Sequence, residues 1–239
     1  MTGTYKVLSA LLSYPSAELQ EAAHDLIVTL NIEQLLSAQD RAAVGALLKD
    51  MSGEDLLELQ AEYVELFDRT RALSLHLFEH VHGESRDRGQ AMVSLRDRYH
   101  AAGLDIAANE LPDYIPLFLE FLSLQEPEEA RTMLCEPVHI LAALGERLKR
   151  RASRYAVVFD ALVALSETAP NAAVLADLQK TPLDDPNDLV ALDKAWEETE
   201  VRFGPGDVAQ KGSCPKVSNI LANMAPPRDE SEALARLVP

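Results

Sequence analysis

The densest chemistry in this chain lies between His76 and Leu95, which reads HLFEHVHGESRDRGQAMVSL. His76, Glu79 and His80 match the H-x-x-E-H pattern, in which histidines four residues apart on one helix face hold zinc and the glutamate acts as a base. A catalytic zinc takes a third protein ligand, for which Glu146 is the nominal candidate. One reading is therefore a zinc-dependent hydrolase. His80 and His82 also suit general-base or pH-switching duty, because neutral imidazole titrates near the working pH. The scaffolds of nucleophilic and nucleotide chemistry are missing: there is no G-x-S-x-G elbow, no Walker-type loop and no G-x-G-x-x-G. The same stretch also reads as a surface. Glu79, Glu84 and Asp87 alternate with Arg86 and Arg88 around Gly83, where a chain reversal brings opposite charges together. Such a cluster either faces a partner or satisfies itself and fixes a helix junction.

The elements that carry these residues are helical by pattern. Leu59, Tyr63 and Leu66/Phe67 recur at helical spacing, as do Leu141, Leu144 and Leu148, and then Tyr155, Val158/Phe159, Leu162 and Leu165. The best β-branched run, AVVF at 156–159, sits inside the last of these patterns, so the fold class is all-α, a single compact helical domain. Boundaries fall at SYPS (13–16), with Ser16 as an N-cap, at MSGED (51–55), QEPEE (125–129) and TAPN (168–171). Pro116 fits the first turn of a buried helix opened by ELPDYIPLFLEFL, and the next helix after the charged loop runs from about Asp87 to Ala101. Ordinary connection lengths give roughly nine helices. The domain is expected to span 1–203, with a flexible Gly/Pro-rich tail over 204–239.

With 47% hydrophobic residues the chain of 239 can bury a large core. Its 39 acidic residues against 22 basic ones, a net charge of −17, argue against nucleic acid and favour a neutral or basic partner. Cys135 and Cys214 are isolated, which fits a reducing compartment. No secretory h-region and no apolar run long enough to span a bilayer is present, so the expected location is the cytoplasm, without membrane insertion.

YVELFDRTRALSLHLFEHVHGESRDRGQAMVSL (63–95) and ELPDYIPLFLEFL (110–122) closely resemble the nitrate reductase molybdenum cofactor assembly chaperones of the NarJ type. The likeness continues through RLKRRASRYAVVFDALVAL (147–165) and AWEETEV (195–201). That family belongs to the TorD/DmsD group of redox-enzyme maturation chaperones. The resemblance implies an all-helical, TorD/DmsD-like cytoplasmic protein that is not an enzyme and holds no permanent cofactor. It implies that the chain binds the N-terminal leader, or leader remnant, of the respiratory nitrate reductase α subunit until molybdopterin guanine dinucleotide is inserted. The client carries that cofactor and its iron-sulfur clusters. Cofactor-delivery proteins are further implied partners, and a monomer and a domain-swapped homodimer both stay open.

The group's E-x-x-x-L-F helix matches Glu62 to Phe67, and its Pro-Asp-His segment matches Pro112, Asp113 and Tyr114. Tyr114 departs from the pattern, since it cannot become an imidazolium. The expected peptide-binding residues are Tyr63, Phe67, Glu79, His80, His82, Glu84, Arg86, Asp87, Arg88, Asp113, Tyr114, Pro116 and Glu120. An amphipathic leader would lay its apolar face against aromatics such as Tyr63, Phe67 and Tyr114 and turn its basic face to the acidic protein, with Asp113 mattering most if it pairs with a leader arginine in a desolvated site.

Overall fold

A computed structural model of the chain describes residues 2–82, 86–106 and 110–180, and only the backbone of 82, 86 and 87. The expected domain end at 203, the tail over 204–239, the 195–201 match, the reversal at Gly83 and Glu84 lie outside the described residues. So do the side chains of His82, Arg86 and Asp87.

Among the described residues there are eleven α-helices and no strand: α1 Gly3–Leu12, α2 Ala17–Glu33, α3 Ala38–Gly53, α4 Leu56–Tyr63, α5 Glu79–His82, α6 Arg86–Ala101, α7 Ile115–Leu124, α8 Pro127–Cys135, α9 Val138–Arg150, α10 Ala156–Leu165 and α11 Ala172–Leu178. The count exceeds nine because α5 and α11 are too short to show a hydrophobic period, and because Pro137 divides α8 from α9. The starts follow from local chemistry. The Ser16 hydroxyl accepts from the Leu19 N–H, Asp55 from the N–H groups of Leu57 and Glu58, and Asn171 from those of Ala173 and Val174. Pro116 and Pro127 sit in first turns, where a missing N–H costs nothing. AVVF is helical, inside α10, because its residues 158 and 159 face the core.

Helices α1 and α7 pack as one central pair, α9 and α10 as another, and α2 and α3 form a hairpin against them. The centre is almost wholly apolar: Val7, Leu8, Leu11, Leu12, Leu119, Leu122, Leu144 and Phe159 are fully buried. Glu33, at the end of α2, closes the first turn of α1 by accepting from the N–H groups of Gly3 and Thr4 and from the Thr4 hydroxyl. Partial burial raises the Glu33 pKa, but those donors outweigh it, and the net direction is down.

One helix leaves the regular pattern beside the candidate site. After Tyr63 the chain widens into a π-turn over Val64–Asp68, closed by the Arg69 N–H donating to the Val64 carbonyl at 3.0 Å. It then tightens into a 3₁₀ turn, Arg71–Leu73, before an extended piece at residues 74–76 and a turn at Leu77 and Phe78 that leads into α5. Such widened turns interrupt helices most often where a function depends on the displaced side chains.

Candidate functional site

The extended piece is stitched to the chain entering α7. Leu77 N–H donates to the Asp113 carbonyl at 3.0 Å and Ile115 N–H to the Leu75 carbonyl at 2.9 Å, forming an isolated antiparallel bridge between His76 and Tyr114. The Asp113 side chain, 0% exposed, reinforces the seam from within. One carboxylate oxygen accepts from the Phe78 N–H at 3.0 Å, and the other lies 3.2 Å from Nδ1 of His76, which donates to it. The Tyr99 hydroxyl donates to the Pro112 carbonyl at 2.8 Å, and Nε2 of His80 donates to the Ser74 carbonyl at 2.8 Å. Beneath the preceding turn, buried Arg147 of α9 donates to the carbonyls of Ala72 and Leu178. These bonds answer the requirement that buried polar groups find partners, and they hold residues 72–78 in a fixed shape.

This geometry does not favour the zinc reading. His76 and His80 do not share a helix face, since α5 starts only at Glu79 and His76 is a bridge residue bonded to Asp113. His80 points instead at Ser74, and no group of three or more candidate metal ligands occurs among the described residues. The five-residue spacing is helical in sequence only. The Leu75 carbonyl and the Leu77 N–H bond across to residues 115 and 113, and only the carbonyls from His76 onward begin the turn into α5. Burial pushes the His80 pKa down, the Ser74 bond raises it, and the charge of Arg147 lowers it further.

The seam forms one wall of an aromatic recess of about 320 Å³, lined by Tyr14, Tyr63, Phe67, Asp68, Leu75, His76 and Tyr114. Its floor is rigid. Tyr63 donates its hydroxyl hydrogen to the Leu12 carbonyl at 2.9 Å and meets the Tyr114 hydroxyl at 3.0 Å. Tyr14 stands edge-on to Tyr63, Phe67 stacks between Tyr63 and buried Tyr155, and His76 lies against Tyr114. Burial pushes the Tyr63 hydroxyl well above the usual tyrosine range and raises that of Tyr114 too, against the lowering effect of its bond with Tyr63, so both stay neutral. Tyr14, 51% exposed, also borders a second recess of about 450 Å³ beside Leu57, Gln60, Ala61, Val64, Glu65 and Arg69. The two hollows together make an interrupted groove along α4 and the π-turn.

Of the residues expected from sequence, Tyr63, Phe67 and Tyr114 meet in this recess. Asp113 lies directly behind it, but its carboxylate is enclosed and occupied by the chain's own donors, so it does not face a ligand arginine. Glu79 pairs with Arg88 at 3.2 Å, joining α5 to α6, and neither residue lines either recess. Pro116 is buried, its carbonyl accepting from Ser9, and Glu120 is exposed on α7 away from both linings. Sequence reasoning missed Tyr14, Asp68, Leu75 and Arg147. SYPS reads as a helix boundary, and only tertiary packing brings Tyr14 against Tyr63.

Residues 33–161 match the family model described as nitrate reductase delta subunit. The chain belongs to that family. It is 45% identical over 208 residues to the nitrate reductase molybdenum cofactor assembly chaperone NarJ of Escherichia coli K12, covering 85% of this chain and 87% of that one. It is 40% identical over 199 residues to the probable chaperone NarW of the same strain, with 83% and 82% covered. To the probable NarJ of Bacillus subtilis 168 it is 30% identical over 164 residues, with 69% and 88% covered. The delta-subunit family match takes in α3 to α9, and hence the seam, α4, the π-turn and nearly all of the aromatic recess. Tyr14 alone among the lining residues lies ahead of it.

Proposed function

We propose that this protein is an assembly chaperone for a respiratory nitrate reductase, acting in the cytoplasm on the catalytic α subunit. It holds that subunit's N-terminal leader while molybdopterin guanine dinucleotide is inserted, and the chemistry belongs to the client. The observation that carries the reading is the recess itself: exposed Tyr14 and half-buried Tyr114 over buried Tyr63 and Phe67, where the other large aromatics among the described residues are packed away. A helix laid in such a groove inserts apolar side chains at a spacing of three or four residues. Each buried Å² contributes about 25 cal/mol, while the net charge of −17 draws a basic segment in.

The two contributions separate in a salt series with immobilised leader peptide. Surface charge is screened over about 8 Å at physiological ionic strength, so added salt slows association and leaves the dissociation rate nearly constant. Binding that disappears outright at high salt would replace the groove with a purely electrostatic surface. A wild-type chain with no affinity for the leader at any salt concentration would end the chaperone reading.

A further inference from the structure

We propose that Asp68 selects the client segment by accepting one of its lysine or arginine side chains, whose apolar stem lies along the rings of Tyr14 and Tyr114. The proposal deepens the peptide-binding reading above and rests on it.

The π-turn is what delivers Asp68. In a continuous α-helix, residue 68 would lie over Val64, four positions back, and would face the second recess with Leu57, Gln60 and Ala61. The widened turn puts Arg69 there instead, five positions on, with its N–H on the Val64 carbonyl. Asp68 is thereby swung to the other side, beside Tyr63 and Phe67. A single extra residue in the turn decides which hollow carries the carboxylate.

The surroundings then make that carboxylate the one a ligand meets. The second recess holds Glu65 and Arg69 together, opposite charges that offset each other. In the aromatic recess Asp68 is the lining carboxylate, and Asp113 behind the wall is sealed off. Asp68 keeps its exposed position at the mouth, yet the walls withdraw enough water to raise its pKa, against the opposing pull of His76. A partly desolvated carboxylate next to aromatic faces suits a long cationic side chain, which packs its methylenes on the rings and places its charge on the oxygen. A neutral or acidic side chain of the same length would leave Asp68 screened from water without a partner.

The test uses the full chain and a synthetic peptide with the N-terminal sequence of the nitrate reductase α subunit from the same organism. In a series of peptides, each arginine is replaced in turn by citrulline and each lysine by norleucine. Calorimetric titration at low salt is expected to show Asp68→Asn weakening the native peptide about tenfold. One neutralised peptide loses a similar factor against wild type and nothing further against the variant, the signature of a direct pair. Asp68→Glu, which keeps the charge, retains most of the affinity. Three results overturn the proposal: Asp68→Asn binds as wild type does, it weakens every peptide by the same factor, or Asp68→Glu loses as much as Asp68→Asn. In each of these the wild-type chain still binds the leader, so the chaperone reading stands. Failure of the wild-type chain to bind removes both.

Discussion

His76 stands between two aspartates in opposite circumstances. Asp113, on the seam side, is fully enclosed, and its oxygens are taken by the Phe78 N–H and by His76 itself. Asp68, on the mouth side, is exposed and shares the recess with His76, Tyr63 and Tyr114. The first carboxylate holds the wall up, and the second faces whatever enters. The difference is one of backbone. The seam leaves the Phe78 N–H to an internal acceptor, whereas the π-turn shifts Asp68 off the face it would take on a continuous α-helix. Charge therefore says little about role, and the identity of the donors around each carboxylate says a great deal.

The strongest way to probe this division is at Phe67, which belongs to both regions. It is 5% exposed and packs between Tyr63 and Tyr155. Phe67→Ala should cost about 3 to 5 kcal/mol in urea unfolding, and in whatever folded fraction remains it should shorten the life of the peptide complex. Wild-type stability in that variant would mean the recess wall is not part of the core. The next largest effect separates the aspartates. Asp113→Ala removes the carboxylate that accepts from the buried Phe78 N–H and from His76 Nδ1, at about 1 to 3 kcal/mol. Asp68→Asn should change stability by no more than about 0.5 kcal/mol, as exposed substitutions do. Reversed values would break the comparison.

A smaller effect appears with pH. His80 is pushed below the ordinary imidazole value, first by burial. The unfolded chain therefore binds this proton more readily, and His80 contributes stability that is complete above about pH 6.5 and is lost as pH falls toward the folded value. Glu136 works the other way. Burial pushes it up to about 6, against the charge of Arg98, so its share is present at acid pH and is lost as pH rises through that value. Because the two overlap, the measurement is the difference between wild type and His80→Gln across pH 4 to 8. The wild type should gain relative to the variant as pH rises, by at most about 1.4 kcal/mol per pH unit. A flat difference would show that His80 does not sense its burial beside the seam.

How much of this was legible in the chain follows the same division. The helical class, the cap at Ser16, the boundary at MSGED and the proline at the start of α7 are local, so their signals survive in sequence. Tyr63 and Phe67 are four apart in a stretch with a helical period, and are visible for the same reason although Phe67 falls in the π-turn. His76 is misleading in sequence because H-x-x-E-H has helical spacing, while the bonds that hold residues 75–77 out of a helix come from residues 113–115, far away in sequence. Asp68 was missed because a 3.6-residue period, continued past Tyr63, assigns it to the wrong face, and nothing in VELFD announces a π-turn. Tyr14 depends on the approach of α1 to α4, and Arg147 on carbonyls contributed by two separate turns.

The smallest expected effect tests the stretch that looked richest in chemistry. Arg88 Nη2 donates to Glu79 Oε1 at 3.2 Å, with the two side chains 23% and 31% exposed, so the pair is half-solvated and joins α5 to α6. Such pairs are worth about 0.2 to 1 kcal/mol, because water and salt screen the attraction and two long side chains must be ordered to make it. Glu79→Gln should lower the unfolding free energy by no more than that, with the loss shrinking as salt is added. Peptide affinity should stay within about twofold of wild type, since a rim charge that touches neither recess acts only through the long-range field. The outcome matters in the other direction. If Glu79→Gln or Arg88→Ala weakens leader binding more than Tyr114→Phe does, the ion pair faces the client, and the aromatic recess becomes a packing feature behind it. The two aspartates would then both be structural, and the surface to map would be the junction of α5 and α6.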